Sequence, residues 1–264
     1  MESPSICGHW RCVKILVNKR EPEFRRRQGP ILKLTSLIRS LLAASAFACA
    51  LAAFAGENEQ HWTAEGVLAM MDKSAQDFHS LTADVQRTKF TAVVNDNSSE
   101  SGQMWIRKDE KMRIEFSKPD PRTILRSGDS LYIYTPKINR VEEYDLGKNR
   151  AMVDQYLLLG FGTRTDSLKK SYLVSLNAEE QLDGRKVVVI ELTPKSDQVR
   201  AQITRIQMWI DEAAWLPIQL KFYEAGSGDY LILHYTNLMK NLKIGEPKFK
   251  QDWPKGVSRI KPRG

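Results

Sequence analysis

The sequence predicts an α+β, mainly β fold: a long antiparallel meander that curls into a barrel or half-barrel, with helices over its apolar surface. Three observations carry this. One stretch near residue 63 has helical periodicity, and from residue 81 the period becomes two. Turn signals then separate about ten short runs in hairpin order. No strand–helix–strand repeat occurs, which argues against a parallel sheet.

The elements follow in order. Thr63 is a suitable N-cap and Glu65 suits the first turn of a helix. Val67, Met71, Ala75 and Phe78, with Leu68 beside them, then form one face before His79-Ser80. Residues 81–94 predict a strand and Asn95–Ser98 a turn. Met104 and Ile106 alternate with Trp105 and Arg107, and Met112, Ile114 and Phe116 alternate with Arg113 and Glu115. That is hairpin patterning. Further strands are expected at 122–126, 130–135, 139–145, 172–176, 186–193, 203–210, 216–224, 229–238 and 247–252. Residues 148–173 break the pattern with a dense apolar patch, Gly160-Phe161-Gly162 and a charged stretch. They read as two short helices around a Gly-rich turn.

Charge is unevenly distributed. The 264 residues carry a formal net charge of +8. Residues 1–55 hold nine Lys/Arg against three Asp/Glu, and all three Cys (Cys7, Cys12, Cys49). The body is therefore nearly neutral, and a nucleic-acid partner is not expected. The first 55 residues read as a leader: Arg25, Arg26, Arg27, Lys33 and Arg39, then the uncharged Leu41–Ala55, then Gly56. Ala53-Phe54-Ala55 is a small-x-small cleavage site, so export to the periplasm with cleavage near Ala55-Gly56 is expected. The run is too short for an ordinary spanning helix. Cys49 follows Ala46-Phe47-Ala48, where Phe47 is bulky for a lipidation site, so cleavage after Ala55 is the better reading. The basic region is long for a signal, and residues 1–31 raise the hypothesis of a misassigned translation start. Ribosome footprints starting at Met1 would reject it. Residues 56–264 are then expected to form a single domain.

Catalytic patterns are sparse. His61, His79 and His234 lack metal spacing, and no Cys lies after residue 55. There is no G-x-S-x-G elbow or Walker A motif. Gly160-Phe161-Gly162 lacks the third glycine and the strand–helix context of a dinucleotide site, so it reads as a hinge or turn. The acidic pairs fall mostly at turns, where solvated charge is the default. No catalytic residue, metal or cofactor is expected, and the protein is read as a non-enzyme.

An excess of apolar side chains remains. Met104, Ile106, Met112, Ile114 and Phe116 share a face with Ile206, Met208, Ile210, Ile218, Leu220 and Phe222. Met152, Tyr156, Leu157, Leu158, Leu159 and Phe161 could cover them as a lid. Periodicity leaves two readings open, an ordinary closed core or a cavity with an adaptable, Met-rich wall for an apolar ligand.

The order of pieces resembles the periplasmic outer-membrane lipoprotein carriers (LolA-like, lipoprotein-sorting proteins). The likeness runs through Phe78-His79-Ser80-Leu81 and Gln86, then Gly102–Lys108 (GQMWIRK). It continues with Arg113-Ile114-Glu115-Phe116 and Pro119, and with Ser127–Pro136 (SGDSLYIYTP). Glu191–Lys195 (ELTPK), Phe249 and Pro254-Lys255-Gly256-Val257 complete it, so it covers roughly residues 60–260. The resemblance implies an incomplete, strongly curved antiparallel β-barrel of about ten or eleven strands with a helical lid. It implies a monomeric carrier that shields the acyl chains of lipoproteins in a hydrophobic cavity. Cargo would come from an inner-membrane ABC-type release complex and pass to an outer-membrane acceptor. The resemblance also implies a basic gate on the second strand, at Lys108 or Arg107, with Asp109 where the family has Pro. A lipid- or lipoprotein-sensing regulatory module and a glycolipid carrier share the fold and remain alternatives. The basic tail, with Lys255, Arg259, Lys261 and Arg263, is read as solvated.

Overall fold

Alternating side chains and short turns build one continuous sheet. The computed structural model describes residues 61–147, 159–162 and 164–262. Its strands are β1 (Ser80–Thr91), β2 (Asp96–Arg107), β3 (Lys111–Lys118), β4 (Arg122–Ser127), β5 (Ser130–Thr135) and β6 (Arg140–Asp145). Then come β7 (Tyr172–Leu182), β8 (Arg185–Pro194), β9 (Ile203–Asp211), β10 (Pro217–Glu224), β11 (Tyr230–Lys240) and β12 (Ser258–Ile260). The spatial order is β12-β6-β5-β4-β3-β2-β1-β11-β10-β9-β8-β7. Two meanders, β1 to β6 and β7 to β11, are joined by the β1–β11 ladder, from Leu81 opposite Lys240 to Phe90 opposite Tyr230. β7 and β12 lie at the two ends of the order, so the sheet stays open and curved.

Four details differ from the sequence reading. Among the described residues there are twelve strands, and β12 pairs with β6 in parallel. The strand expected at 247–252 is instead a 3₁₀ turn over Glu246–Phe249 and extended chain, because Pro247 has no N–H for a ladder and Phe249 is buried as an anchor. The turn expected over Asn95–Ser98 shrinks to Asn95 in the left-handed region after a 3₁₀ turn at Ala92–Val94. Asp96, Asn97 and Ser98 pair with Thr91, Phe90 and Lys89, since a two-stranded ladder satisfies their backbone while the side chains stay in water. Finally, β7 runs eleven residues rather than five, carried past a bulge between Leu176 and Ala178.

Helix α1 (Ala64–Gln76) starts as its cap residue dictates. Thr63 Oγ1 accepts the Gly66 N–H at 3.1 Å. Val67, Leu68 and Met71 are buried, and Phe78 extends their face just beyond the helix. Ser74 Oγ donates to Ala214 O at 3.0 Å, and Lys240 Nζ donates to Ser74 O at 2.7 Å. These bonds fasten the end of α1 to the β9–β10 turn and the end of β11. Helix α2 (Thr165–Ser171) is tied on by Asp72, which accepts from the Thr165 N–H at 2.8 Å and from its Oγ1 at 2.5 Å. The first of the two helices expected around the glycines lies outside the described residues. A third short helix, α3 (Asp197–Arg200), connects β8 to β9.

The outer face has its own small core. The chain after β11 returns across β2 to β6 and buries Phe249 with Leu125, Tyr132 and Val141. Trp105, Tyr134, Ile244, Trp253 and Val257 pack against this group. Arg113 is buried here, and its guanidinium reaches Glu115 Oε1 (2.5 Å), Asp252 Oδ1 (3.1 Å) and the carbonyls of Lys248 and Lys250. A buried cation is tolerable because these acceptors replace its water.

Removing the α1–α2 tie by Asp72→Ala leaves the Thr165 donors unmatched. The expected cost is about 1–3 kcal/mol. It should appear as a lower urea midpoint with an unchanged m-value.

Candidate functional site: the inner face and its cleft

Residues at alternate positions face the concave side. Leu81, Ala83 and Val85 of β1 stand beside Ile106, Met104 and Gly102 of β2. Met104 and Ile106 oppose Ile114 and Met112 of β3. On the other meander, Leu220 and Phe222 of β10 oppose Met208 and Ile206 of β9, which oppose Ile190 and Leu192 of β8. All ten expected cavity residues are at most 9% exposed and lie in one cluster. They are Met104, Ile106, Met112, Ile114, Phe116, Ile206, Met208, Ile210, Leu220 and Phe222. Ile218 is buried outside that cluster, because a bulge between Pro217 and Gln219 breaks the alternation.

One end of this interior is filled. Val67, Leu68, Met71 and Phe78 pack into the same cluster with Leu159, Phe161, Leu168 and Tyr172. Gly160 and Gly162 both have positive φ, which lets the chain press close. A Cβ on Gly162 would lie 2.5 Å from Phe78 Cδ1, and one on Gly160 2.9 Å from Pro217 Cγ. This tight turn drives Phe161 edge-on into Tyr235, with ring centroids 5.1 Å apart. Burial pushes the Tyr235 phenol well above its ordinary pKa. Gly160-Phe161-Gly162 is thus the turn that the sequence suggested. Of the six lid candidates, Leu159 and Phe161 are buried in this plug, while Met152, Tyr156, Leu157 and Leu158 lie outside the described residues.

The other end is open. A cleft of about 210 Å³ is lined by Ile114, Phe116, Ile124, Ile203, Phe222, Leu231 and Leu233, with Arg87, Arg122 and Glu224. It lies where β3 turns into β4 and β10 into β11. Three of the ten expected cavity residues, Ile114, Phe116 and Phe222, line it. Arg87 and Arg122 were missed by the sequence reading. Their signal was a charge at an inward position of an apolar strand, as Arg122 sits two residues before Ile124. The volume is below the roughly 300–1,000 Å³ of pockets that engulf a drug-sized ligand.

The gate candidates are placed elsewhere. Lys108 is exposed at the β2–β3 turn. Arg107 points to the outer face, where it forks onto Asp109 (2.6 Å), reaches Glu246 (2.6 Å) and the Ile244 carbonyl (3.1 Å), and covers the Phe249 ring. It anchors the returning C-terminal segment. The Arg107 hydrogen bond holds the Asp109 carboxyl below its usual range. Hydrogen bonds from Lys111 and Arg107 do the same for Glu246. His234 also lies on the outer face, with Nε2 2.9 Å from Asp183 Oδ2. Glu180 accepts from Trp209 Nε1, so the distal β7–β8 hairpin folds over the outside of β9 to β11. Among the described residues, no group of three His, Cys, Asp or Glu side chains could hold a metal ion.

A family model described as "-like: Uncharacterized protein" matches residues 108–245, just over half of the chain. The chain belongs to this family. It is similar to an uncharacterized protein of Methanocaldococcus jannaschii, 24% identical over 204 residues, covering 77% of this chain and 55% of that one. The chain thus spans about half the length of that relative. It is also similar to an outer-membrane lipoprotein carrier protein of Chromohalobacter salexigens, 23% identical over 163 residues, covering 62% of this chain and 71% of that one. The resemblance read from the sequence is therefore found again among its relatives. The crystal structure of an uncharacterized conserved protein from Thermus thermophilus has the same fold, with a TM-score of 0.51 at 12% identity. That match covers 75% of this chain and 99% of the other.

Two outcomes are expected. Gly162→Ala, strained at positive φ and set against Phe78, should lose about 1–3 kcal/mol, measured by denaturant unfolding. The depressed carboxyls stabilise the C-terminal anchor above the ordinary range near pH 4, and that contribution is lost as pH falls through the lower native values. Hydrogen-exchange protection of residues 244–250 should therefore fall between about pH 5 and pH 2 before that of β8.

Proposed function

We propose that this chain is a carrier that shields the acyl chains of lipoproteins and moves them across the periplasm toward the outer membrane. The single observation behind this reading is an open apolar cleft on the inner face of a strongly curved sheet. Relatives that bear the name outer-membrane lipoprotein carrier support it. On this reading residues 1–55 direct export and residues 56–264 are the carrier domain. An ABC-type release complex in the inner membrane loads the cargo, and an outer-membrane acceptor takes it.

The physical logic is direct. An acyl chain in water costs about 0.8 kcal/mol per exposed CH₂, so transit requires cover. A perfectly complementary site would not let the chain go, and a small cleft that widens on loading avoids this. Ile114, Phe116 and Phe222 make first contact with cargo, and the other seven inner residues with the Leu159–Phe161 plug yield as it enters. Met104, Met112 and Met208 suit a wall that must repack. The gate falls to Lys108, since Arg107 is committed to Asp109 and Glu246.

Native mass spectrometry of the protein recovered from a periplasmic extract tests this reading. The expected result is a one-to-one acyl-bearing adduct that added triacylated lipopeptide displaces. Phe222→Asp should abolish the adduct, and Lys108→Leu should block its transfer. Protein that is absent from the periplasm, or that stays empty with lipopeptide present, would overturn the proposal.

A further inference from the structure

Two arginines share one carboxylate oxygen at the mouth of the cleft. Arg87 Nη1 lies 3.0 Å and Arg122 Nη2 2.7 Å from Glu100 Oε2. The three side chains come from neighbouring inward positions: Arg87 pairs with Glu100 across β1–β2, and Arg122 with Phe116 across β3–β4. The Arg122 guanidinium stacks on the Phe116 ring at 5.2 Å. Its Nε is buried with no hydrogen-bond partner.

This arrangement leaves donors in excess. Each guanidinium carries five N–H groups in a fixed fork, and Glu100 accepts one hydrogen bond from each. Glu100 alone cannot balance two arginines, so the trio keeps one positive charge. Glu224, also at the rim, is bridged by Lys89, which lies 3.5 Å from Asp229 as well. Glu224 and Asp229 are thus engaged by Lys89, while the Arg122 guanidinium, with its unmatched Nε, stands over the floor at Phe116. An aliphatic chain in the cleft would run from this floor up to the two guanidinium groups.

We propose that the cleft takes an anionic amphiphile. Its tail lies along Ile114, Phe116, Phe222 and Leu231, and its carboxylate or phosphate head is received by Arg87 and Arg122. Planar guanidinium groups bind both heads with charge-assisted, two-pronged hydrogen bonds. A lipid with an uncharged head leaves those donors unmatched. The proposal rests on the carrier reading and adds to the acylated lipoproteins, whose own anchor has no ionised head, a second cargo with an anionic one.

Calorimetric titration of the full chain compares three ligands with one tail: oleate, oleoyl lysophosphatidate and oleyl alcohol. At least one of the two acids should bind about tenfold or more tighter than the alcohol, and added salt should erode the difference. The double variant Arg87→Gln/Arg122→Gln should lose the preference while binding the alcohol as before, which also shows that the cleft is intact. If the double variant loses the alcohol too, Arg122→Gln alone is judged by the same ratio. A preference for a single acid identifies the head. Equal binding of all three, or a preference that survives the substitutions, overturns the proposal and leaves the carrier reading standing. No binding of any of the three ligands overturns the proposal, and the lipopeptide displacement then judges the carrier reading by itself.

Discussion

The β1–β11 ladder is the constraint on which the rest of the structure depends. It joins the first described strand to the last long one, across more than one hundred residues. Without it, the two meanders would be separate sheets, each with an unpaired edge. With it, the apolar rows of β1 to β3 and β8 to β11 face one interior. Pairing so distant in sequence costs loop-closure entropy, and burial of the shared apolar face offsets that cost. Long β1 and β2 follow from the same need, since the curved sheet must stay paired along its whole height.

The interior is unequal along that height. At the end of β11, the segment after α1, the glycine-rich turn and α2 fill it with Phe78, Phe161 and Leu168. At the other end the same strands carry Arg87, Arg122 and Glu224 beside Phe116 and Phe222. A fully packed barrel would be inert, and an empty one of this width would not be stable. One packed end and one open end reconcile stability with a site. On the outer face Phe249, Arg107 and Arg113 hold the returning C-terminal segment, so it does not compete for the interior.

Much of this was legible in the residues. Thr63 with the Val67–Met71 spacing determined α1, because capping and helical period are local. Alternation over Met104–Arg107 and Met112–Phe116 determined both the hairpin and its inward face, because a strand's side-chain period is two. Other features were hidden because their causes are distant. Nothing near Phe249 says that it anchors a turn against Leu125 and Val141, so residues 247–252 read as a strand. Nothing near Arg107 says that Glu246 will claim it, so it read as a gate candidate. Arg87 and Arg122 look like ordinary strand charges until the register sets both against Glu100.

The sequence by itself determined a mainly β meander, a single capped helix in front of it, and an inward apolar face. These depend on periodicity and capping within a few residues. Tertiary structure alone decided which strands pair across the chain, where the inward face is filled and where it opens, and which charges meet at the opening. Those outcomes depend on register and curvature, which bring together side chains far apart in sequence.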